Sequence, residues 1–298
     1  MFKEVNNPMI SKICLGTVQF GLDYGIANHR GKVPKPEVFE IFKYAQEIGL
    51  RTLDTSMAYG DSEIIIGEFG KPKIPFEIVS KILIDSDVSD SNNMRSKLQD
   101  SLQRLKIKQL YACLIHRFED FLKHGQIWEV LKTARQEGLV KKIGFSLYRP
   151  EELELIWDRG VSFDIVQVPF SIFDRRFEKY FELLKEKNIE IHVRSVFLQG
   201  LAFLKPDQLP EKLRYASGTI DQLQNISQRH NLPIGAVCLN YVLLNSLIDK
   251  VVIGVDSLEH LKKNVHNLEE FNKVSDLRDN LKDLAISDEE VLLPFKWN

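Results

Sequence analysis

Cysteine is scarce in this chain of 298 residues: Cys14, Cys113 and Cys238 are the only three. An odd number cannot all pair within one chain, and none stands in a Cys-x-x-Cys spacing, so the fold is not organised by a disulfide framework or a thiolate metal site. They read as buried thiols in a reducing compartment. Long hydrophobic runs are also lacking, since no stretch approaches the roughly 18 apolar residues that a membrane span needs. The first twenty residues carry Lys3, Glu4 and Lys12 where a signal peptide or anchor would be continuously apolar. Cytoplasmic residence is the expectation. Neither sign of charge dominates: 40 basic against 42 acidic side chains leave a net charge of -2, so no global field draws in nucleic acid or an anionic membrane. Gly-x-Gly-x-x-Gly, a Walker loop and a histidine pair at i, i+4 are all missing, which argues against an open dinucleotide-binding sheet, a nucleotide triphosphatase and a helix-borne zinc site.

What is present is a long alternation. With 44% hydrophobic and 28% charged residues the chain can bury a large core. Strand-like runs fall at Ile10 to Leu15, Thr52 to Asp54, Phe76 to Lys81, Leu110 to Ile115, Lys142 to Ser146, Asp164 to Val168, Glu190 to Val196 and Val251 to Val255. Between them apolar residues recur at helical spacing, as in Val38, Ile41, Phe42, Ala45 and again in Ile127, Val130, Leu131, Ala134. Asp61 is placed to cap the helix after the second strand, and Pro150 suits the first turn of the helix after the fifth. Eight such repeats with few long loops predict an α/β fold, a (β/α)8 TIM barrel of eight parallel strands with surrounding helices, as a single domain over 1–298. No exposed apolar stripe compels a dimer, so a monomer or weak homo-oligomer is expected.

In such a barrel the reactive groups collect at the C-terminal strand ends. Asp54 and Tyr59 follow the second strand, Lys81 ends the third and His116 follows the fourth. Singly, each has an ordinary structural reading: a turn cap, a packed turn residue, a solvated charge and a core histidine. Together, on neighbouring strand ends, they form an acid with its tuning groups. A tyrosine with pKa near 10 needs roughly 4 kcal/mol of differential stabilisation to act as an acid near pH 7. A close ammonium, Lys81, itself held by Asp54, favours the phenolate and supplies that. His116 can donate a hydrogen bond to the same oxygen. Protonating a carbonyl oxygen is half of a reduction, and the hydride must come from a nicotinamide or similar cofactor, because no side chain carries one.

These residues, with Leu15-Gly16-Thr17, Gly144-Phe145-Ser146, Gln167 and the run from Ser257 to Asn264, give the chain a resemblance to the aldo-keto reductases over nearly its whole length. The resemblance implies a cytoplasmic oxidoreductase that reduces an aldehyde or ketone with NAD(P)H, with Tyr59 as general acid, Asp54 and Lys81 as its tuning pair and His116 as the orienting group. It also implies a cofactor track through Gly16, Thr17, Ser146, Gln167, Arg194, Ser195, Gly254, Ser257, His260 and Asn264, and no metal. Ser146 and Gln167 would hold the carboxamide, Ser195 the phosphates and Asn264 the adenine. The chain departs from the family pattern at three places. Leu147 replaces an asparagine, Arg194 replaces a stacking aromatic, and Asp256 stands where a cation commonly meets the 2'-phosphate. NADP(H) is the family default and NAD(H) the alternative. Tyr24, His29, Arg30, Arg175 and Arg176, with Phe170 and Phe173, suggest a sugar or nucleotide-linked carbonyl substrate. A cofactor-binding regulatory protein on the same barrel, as in the potassium-channel beta subunits, is the alternative function. A Schiff-base enzyme working through Lys81 is a third, and it predicts borohydride trapping on that lysine.

Overall fold

The structure is a computed structural model that describes residues 7–70, 74–84 and 90–297. Lys3 and Glu4, on which the expectation of no leader partly rests, lie outside them. Eight strands, β1 Ile13–Gly16, β2 Thr52–Asp54, β3 Glu77–Ile82, β4 Leu110–Ile115, β5 Val140–Ser146, β6 Ile165–Pro169, β7 Glu190–Arg194 and β8 Lys250–Gly254, pair in chain order into a closed barrel. All neighbours are parallel, and β8 returns to β1 with Cys14 opposite Val252 and Gly16 opposite Gly254. The strands read as near-continuous apolar runs because both of their faces are covered.

The covering is asymmetric. One large cluster joins outward strand residues such as Leu53, Ile78, Cys113, Ile115 and Val166 to the helices around the barrel. A smaller one, Val79, Ala112, Leu114 and Ile165, lies on alternate strand positions and fills the interior. The helix Lys35–Glu47 buries Val38, Ile41, Phe42 and Ala45, the stripe expected of it. All three thiols are buried and unpaired. No helix among the described residues is long and apolar enough to cross a membrane.

Several boundaries differ from the expected ones for local reasons. Pro8 and the Asn7 side chain, which accepts from the Met9 amide at 2.9 Å, start a 3-10 turn over Pro8–Lys12, so β1 begins at Ile13 rather than Ile10. β7 ends at Arg194, because Ser195 turns to φ +65°. Asp61 stands at the start of Ser62–Phe69 without capping it, since its carboxylate is held by Lys32 at 2.6 Å. The Phe177 to Leu184 stripe is split between a 3-10 turn, Glu178–Tyr180, and the helix Phe181–Glu186. Beyond the helix Leu258–Asn267 the chain crosses to β5 and β6. There the Ile286 amide donates to the Phe173 carbonyl at 2.8 Å, and Glu289 accepts from Arg149 and Arg176.

Candidate active site

The loop after β2 is laid down by backbone hydrogen bonds before any side chain acts. Thr55 N donates to Val79 O at 2.8 Å, Met57 N to Lys81 O at 3.1 Å and Tyr59 N to Ser56 O at 3.1 Å. Tyr59 is then pressed against the helix Val18–Gly21: a Cβ on Gly21 would fall 1.8 Å from the Tyr59 carbonyl oxygen. Gly60, at φ +54°, approaches Gly21 in return, with its own Cβ position 2.5 Å from the Gly21 oxygen. Two backbones in contact leave the phenol one direction in which to point.

That direction brings Tyr59 to the expected partners. Lys81 and Asp54 are 1% and 4% exposed, and their Nζ to Oδ2 distance is 2.6 Å. Lys81 also donates to the Thr55 carbonyl at 2.9 Å, and Gln167 Nε2 donates to Asp54 Oδ1 at 2.7 Å. Burial opposes the lysine's charge, but Asp54 and Tyr59 outweigh it and raise the Lys81 pKa, so the ammonium persists. Lys81 Nζ lies 5.1 Å from the Tyr59 ring centroid. The expected depression of the Tyr59 pKa is not what results. Burial raises it, and Lys81 pulls it down only in part, so Tyr59 rests as a neutral phenol.

His116 packs edge-on against Tyr59 with centroids 5.9 Å apart. Burial first, then Lys81, Arg194 and Arg117, lower its pKa to about 3, which keeps the imidazole neutral. Its Nδ1 is 3.0 Å from Ser56 Oγ, a shorter contact than the 3.3 Å from that oxygen to the Lys81 carbonyl. With Ser56 donating to Nδ1 the ring proton is on Nε2. The sequence reading missed Ser56. Its only signal was its place between Asp54 and Tyr59.

A cavity of about 500 Å³ opens over these groups at the C-terminal strand ends, and Tyr59, Asp54, Lys81 and His116 line it. Gly16, Thr17, Ser146 and Gln167 also line it, as do Arg194, Ser195, Gly254, Ser257 and His260. Gln167 is wholly buried, yet its Oε1 has no partner among the described residues. A buried acceptor left open beside the reacting groups suits a carboxamide N–H donor. Ser195, Leu198 and Gln199 all take positive φ, a strained backbone in the loop after β7 that faces the cavity. The donor set and this loop fit a nicotinamide dinucleotide. Thr17 contributes backbone at most, since its hydroxyl donates to the Asp54 carbonyl and accepts from Ser62.

Other expected contacts are placed differently. Asn264 is 2% exposed and lies outside the cavity lining, its Nδ2 without a partner among the described residues. Ser257 caps its helix by accepting from the His260 amide at 3.1 Å, and the His260 ring turns to Asp256 Oδ1 at 3.2 Å. Leu147 is buried in the helix–sheet layer, its amide donating to the Gln167 carbonyl at 2.8 Å and its carbonyl accepting from Arg194 Nη2 at 2.9 Å. Phe170 and Phe173 are buried, Arg175 is paired with Glu178, and Arg176 with Asp174 and Glu289, all away from the cavity. Arg30 is bound to Glu37, and His29 is exposed outside the lining. Of the side chains read as substrate contacts, Tyr24 alone reaches the cavity. Tyr148, which was not singled out, lines it too.

The profile of the Aldo/keto reductase family matches residues 12–284. An uncharacterized oxidoreductase, YqkF, of Bacillus subtilis is 25% identical, over 86% of this chain and 86% of its own. The NADH-specific methylglyoxal reductase of Escherichia coli is 24% identical, over 86% of this chain and 89% of its own. Among solved structures, the aldo-keto reductase AKR11C1 of Bacillus halodurans superposes with a TM-score of 0.73 at 22% identity, covering 93% of each chain.

Proposed function

The chain belongs to the aldo/keto reductase family and is an NAD(P)H-dependent carbonyl reductase, and from that premise we propose that Tyr59 is its proton donor. The observation that carries this reading is the buried Lys81–Asp54 pair set beside a neutral, buried phenol that lines the cavity. The dinucleotide, when bound, supplies the hydride to the carbonyl carbon. Tyr59 gives its proton to the carbonyl oxygen, and the phenolate left behind faces the Lys81 ammonium. The same ammonium is too firmly held by Asp54 and the Thr55 carbonyl to leave. His116 donates from Nε2 to the carbonyl oxygen, which aims the carbonyl at Tyr59. A charge-assisted contact of this kind in a water-poor site is worth about 100-fold in rate or more. Gln167, with its free Oε1, and Ser146 hold the carboxamide.

At the adenosine end, Asp256 and Glu259 line the cavity with Lys263 and His260. Arg30 is beside them but spent on Glu37 and the Asp256 carbonyl. An aspartate there accepts from a ribose 2'-hydroxyl and repels a 2'-phosphate, so NADH is the preferred cofactor on this reading, against the family default of NADPH. The named specificity of the Escherichia coli relative points the same way.

The test is dinucleotide binding by fluorescence, followed by oxidation of bound NADH or NADPH with a panel of aldehydes and ketones, for the wild type and Tyr59→Phe. The expected result is binding in both proteins and loss of at least about 100-fold in turnover in the variant. Full turnover in Tyr59→Phe would remove the phenol from the mechanism, and a preference for NADPH would remove the role given to Asp256.

A further inference from the structure

Among the described residues, two cations face the catalytic end of the cavity, Lys81 and Arg194. Lys81 is matched by Asp54. Arg194 is half-buried at the last position of β7, and no carboxylate pairs with it among the described residues. Its hydrogen bonds go to uncharged acceptors, the Leu147 carbonyl at 2.9 Å and the Ser195 hydroxyl at 3.3 Å. Nearby arginines at the neighbouring strand ends are compensated: Arg149 by Glu289, Arg175 by Glu178, Arg176 by Asp174. A guanidinium stays charged at every working pH, and withdrawing it from water without a counter-ion is costly. The catalytic end of the cavity therefore carries one uncompensated positive charge, because Lys81 and Asp54 cancel and His116 is neutral.

The guanidinium is also held in a fixed plane. It lies over the Tyr148 ring at 4.0 Å from the centroid, and Tyr148 is braced edge-on by Phe295 at 5.1 Å. An arginine stacked in this way presents its remaining donors along the edge of the plane, the fork that matches two oxygens of a carboxylate or phosphate. Tyr24 lines the same cavity, and burial raises its pKa, so its hydroxyl stays a neutral donor. Two features thus coincide beside the proton donor: an unpaired, oriented cation and a phenol able to donate.

We infer that the physiological substrate is a carbonyl compound that also bears an anionic group, a carboxylate or a phosphate, and that Arg194 receives this group while Tyr59 and His116 hold the carbonyl oxygen. The inference rests on the reading of Tyr59 as proton donor. Arg194 is then a specificity-determining residue, and its electrostatic pull selects which carbonyls dwell in the cavity. The small α-oxo and semialdehyde acids and the short sugar phosphates share this chemistry.

The experiment uses the full chain with two matched substrate pairs, 4-oxobutanoate against butanal and glyceraldehyde 3-phosphate against glyceraldehyde, in wild type, Arg194→Met and Arg194→Lys. In the wild type the anionic member of one pair is expected to have a kcat/KM about 10- to 100-fold above its neutral partner, the size of one hydrogen-bonded charge contact. Which pair shows it separates carboxylate from phosphate. Arg194→Met should abolish that ratio mainly through KM, and Arg194→Lys should restore part of it. Neutral members that equal their anionic partners in both pairs in wild type, or an equal loss on both members of a pair in Arg194→Met, overturn the inference. Calorimetric binding of succinate and of inorganic phosphate to the dinucleotide complex supplies a readout that needs no turnover. Binding of either that is lost in Arg194→Met supports the anion site, and binding of neither overturns it. Failure of the reductase reading is distinct: it shows as Tyr59→Phe turning over carbonyls as fast as the wild type.

Discussion

His116 carries the clearest single-residue consequence. An ordinary histidine would change charge near pH 6.5, but burial, Lys81 and Arg194 hold this one neutral down to about pH 3. The pH profile of kcat/KM should therefore show no limb between pH 5 and 8 from this residue, and any alkaline decline should come from Tyr59, whose pKa burial raises from its ordinary value. Rates measured across pH 5–10 check this, and a limb near pH 6.5 that vanishes in His116→Gln would contradict it. That Asp54, Tyr59, Lys81 and His116 meet at one cavity could be read from residue type and strand-end position. The tautomer of His116 could not, because it depends on Ser56 Oγ standing 3.0 Å away. Arg194 and Tyr148 were equally hidden as a pair, since neither has a local pattern that announces a stack between the ends of β5 and β7.

Between elements, the joint that matters most is Glu63. It is 1% exposed within the helix Ser62–Phe69 and accepts from Ser80 Oγ of β3 at 2.8 Å, and from Ser101 Oγ and Arg104 Nε of Ser91–Leu105 at 2.6 and 2.9 Å. One carboxylate thus fastens two helices to the strand that carries Lys81. Glu63→Ala would leave two buried hydroxyls and the part-exposed Arg104 guanidinium without an acceptor, and the expected cost is about 2–4 kcal/mol in urea unfolding. A loss under about 1 kcal/mol would mean that the joint relaxes through solvent. Sequence periodicity placed the helices and strands to within a few residues because each buries a regular face. It did not find the 3-10 turn before β1, set by Asn7 and Pro8, or the crossing from Ile286 to Phe295 over β5 and β6, which combines hydrogen bonds and ion pairs with a buried run, Val291 to Leu293, too short to show a period.

Across the whole molecule, the catalytic end of the barrel is balanced by a charged cluster at the other end. Glu190, at the start of β7, accepts from Tyr111 at 2.7 Å, meets His192 at 2.6 Å and is paired with Lys142. Burial alone would raise its pKa, but His192, Lys142 and Tyr111 together lower it to about 2. A carboxylate held lower in the folded state than in the unfolded one stabilises the fold above the unfolded pKa and loses that stabilisation as pH falls. The contribution, up to about 3 kcal/mol, is present above pH 4.5 and lost progressively towards pH 2. Unfolding free energies measured from pH 6 to pH 2 should fall more steeply for wild type than for Glu190→Gln; parallel curves would count against it. Eight alternating units made the barrel readable from sequence, whereas this cluster joins β4, β5 and β7 and has no signature in any one of them.

β1 pairs with both β2 and β8, which puts Gly16 opposite Asp54 on one side and Gly254 on the other, so the cavity joins the start of the barrel to its end. Such a cavity cannot exist until the eighth strand has docked, and contacts this distant along the chain are the slowest to form in folding. A ligand that binds only the closed form favours closure by mass action. Dinucleotide that binds only the shut barrel is therefore expected to raise the fraction of chains whose eighth strand has docked, before any carbonyl has been met.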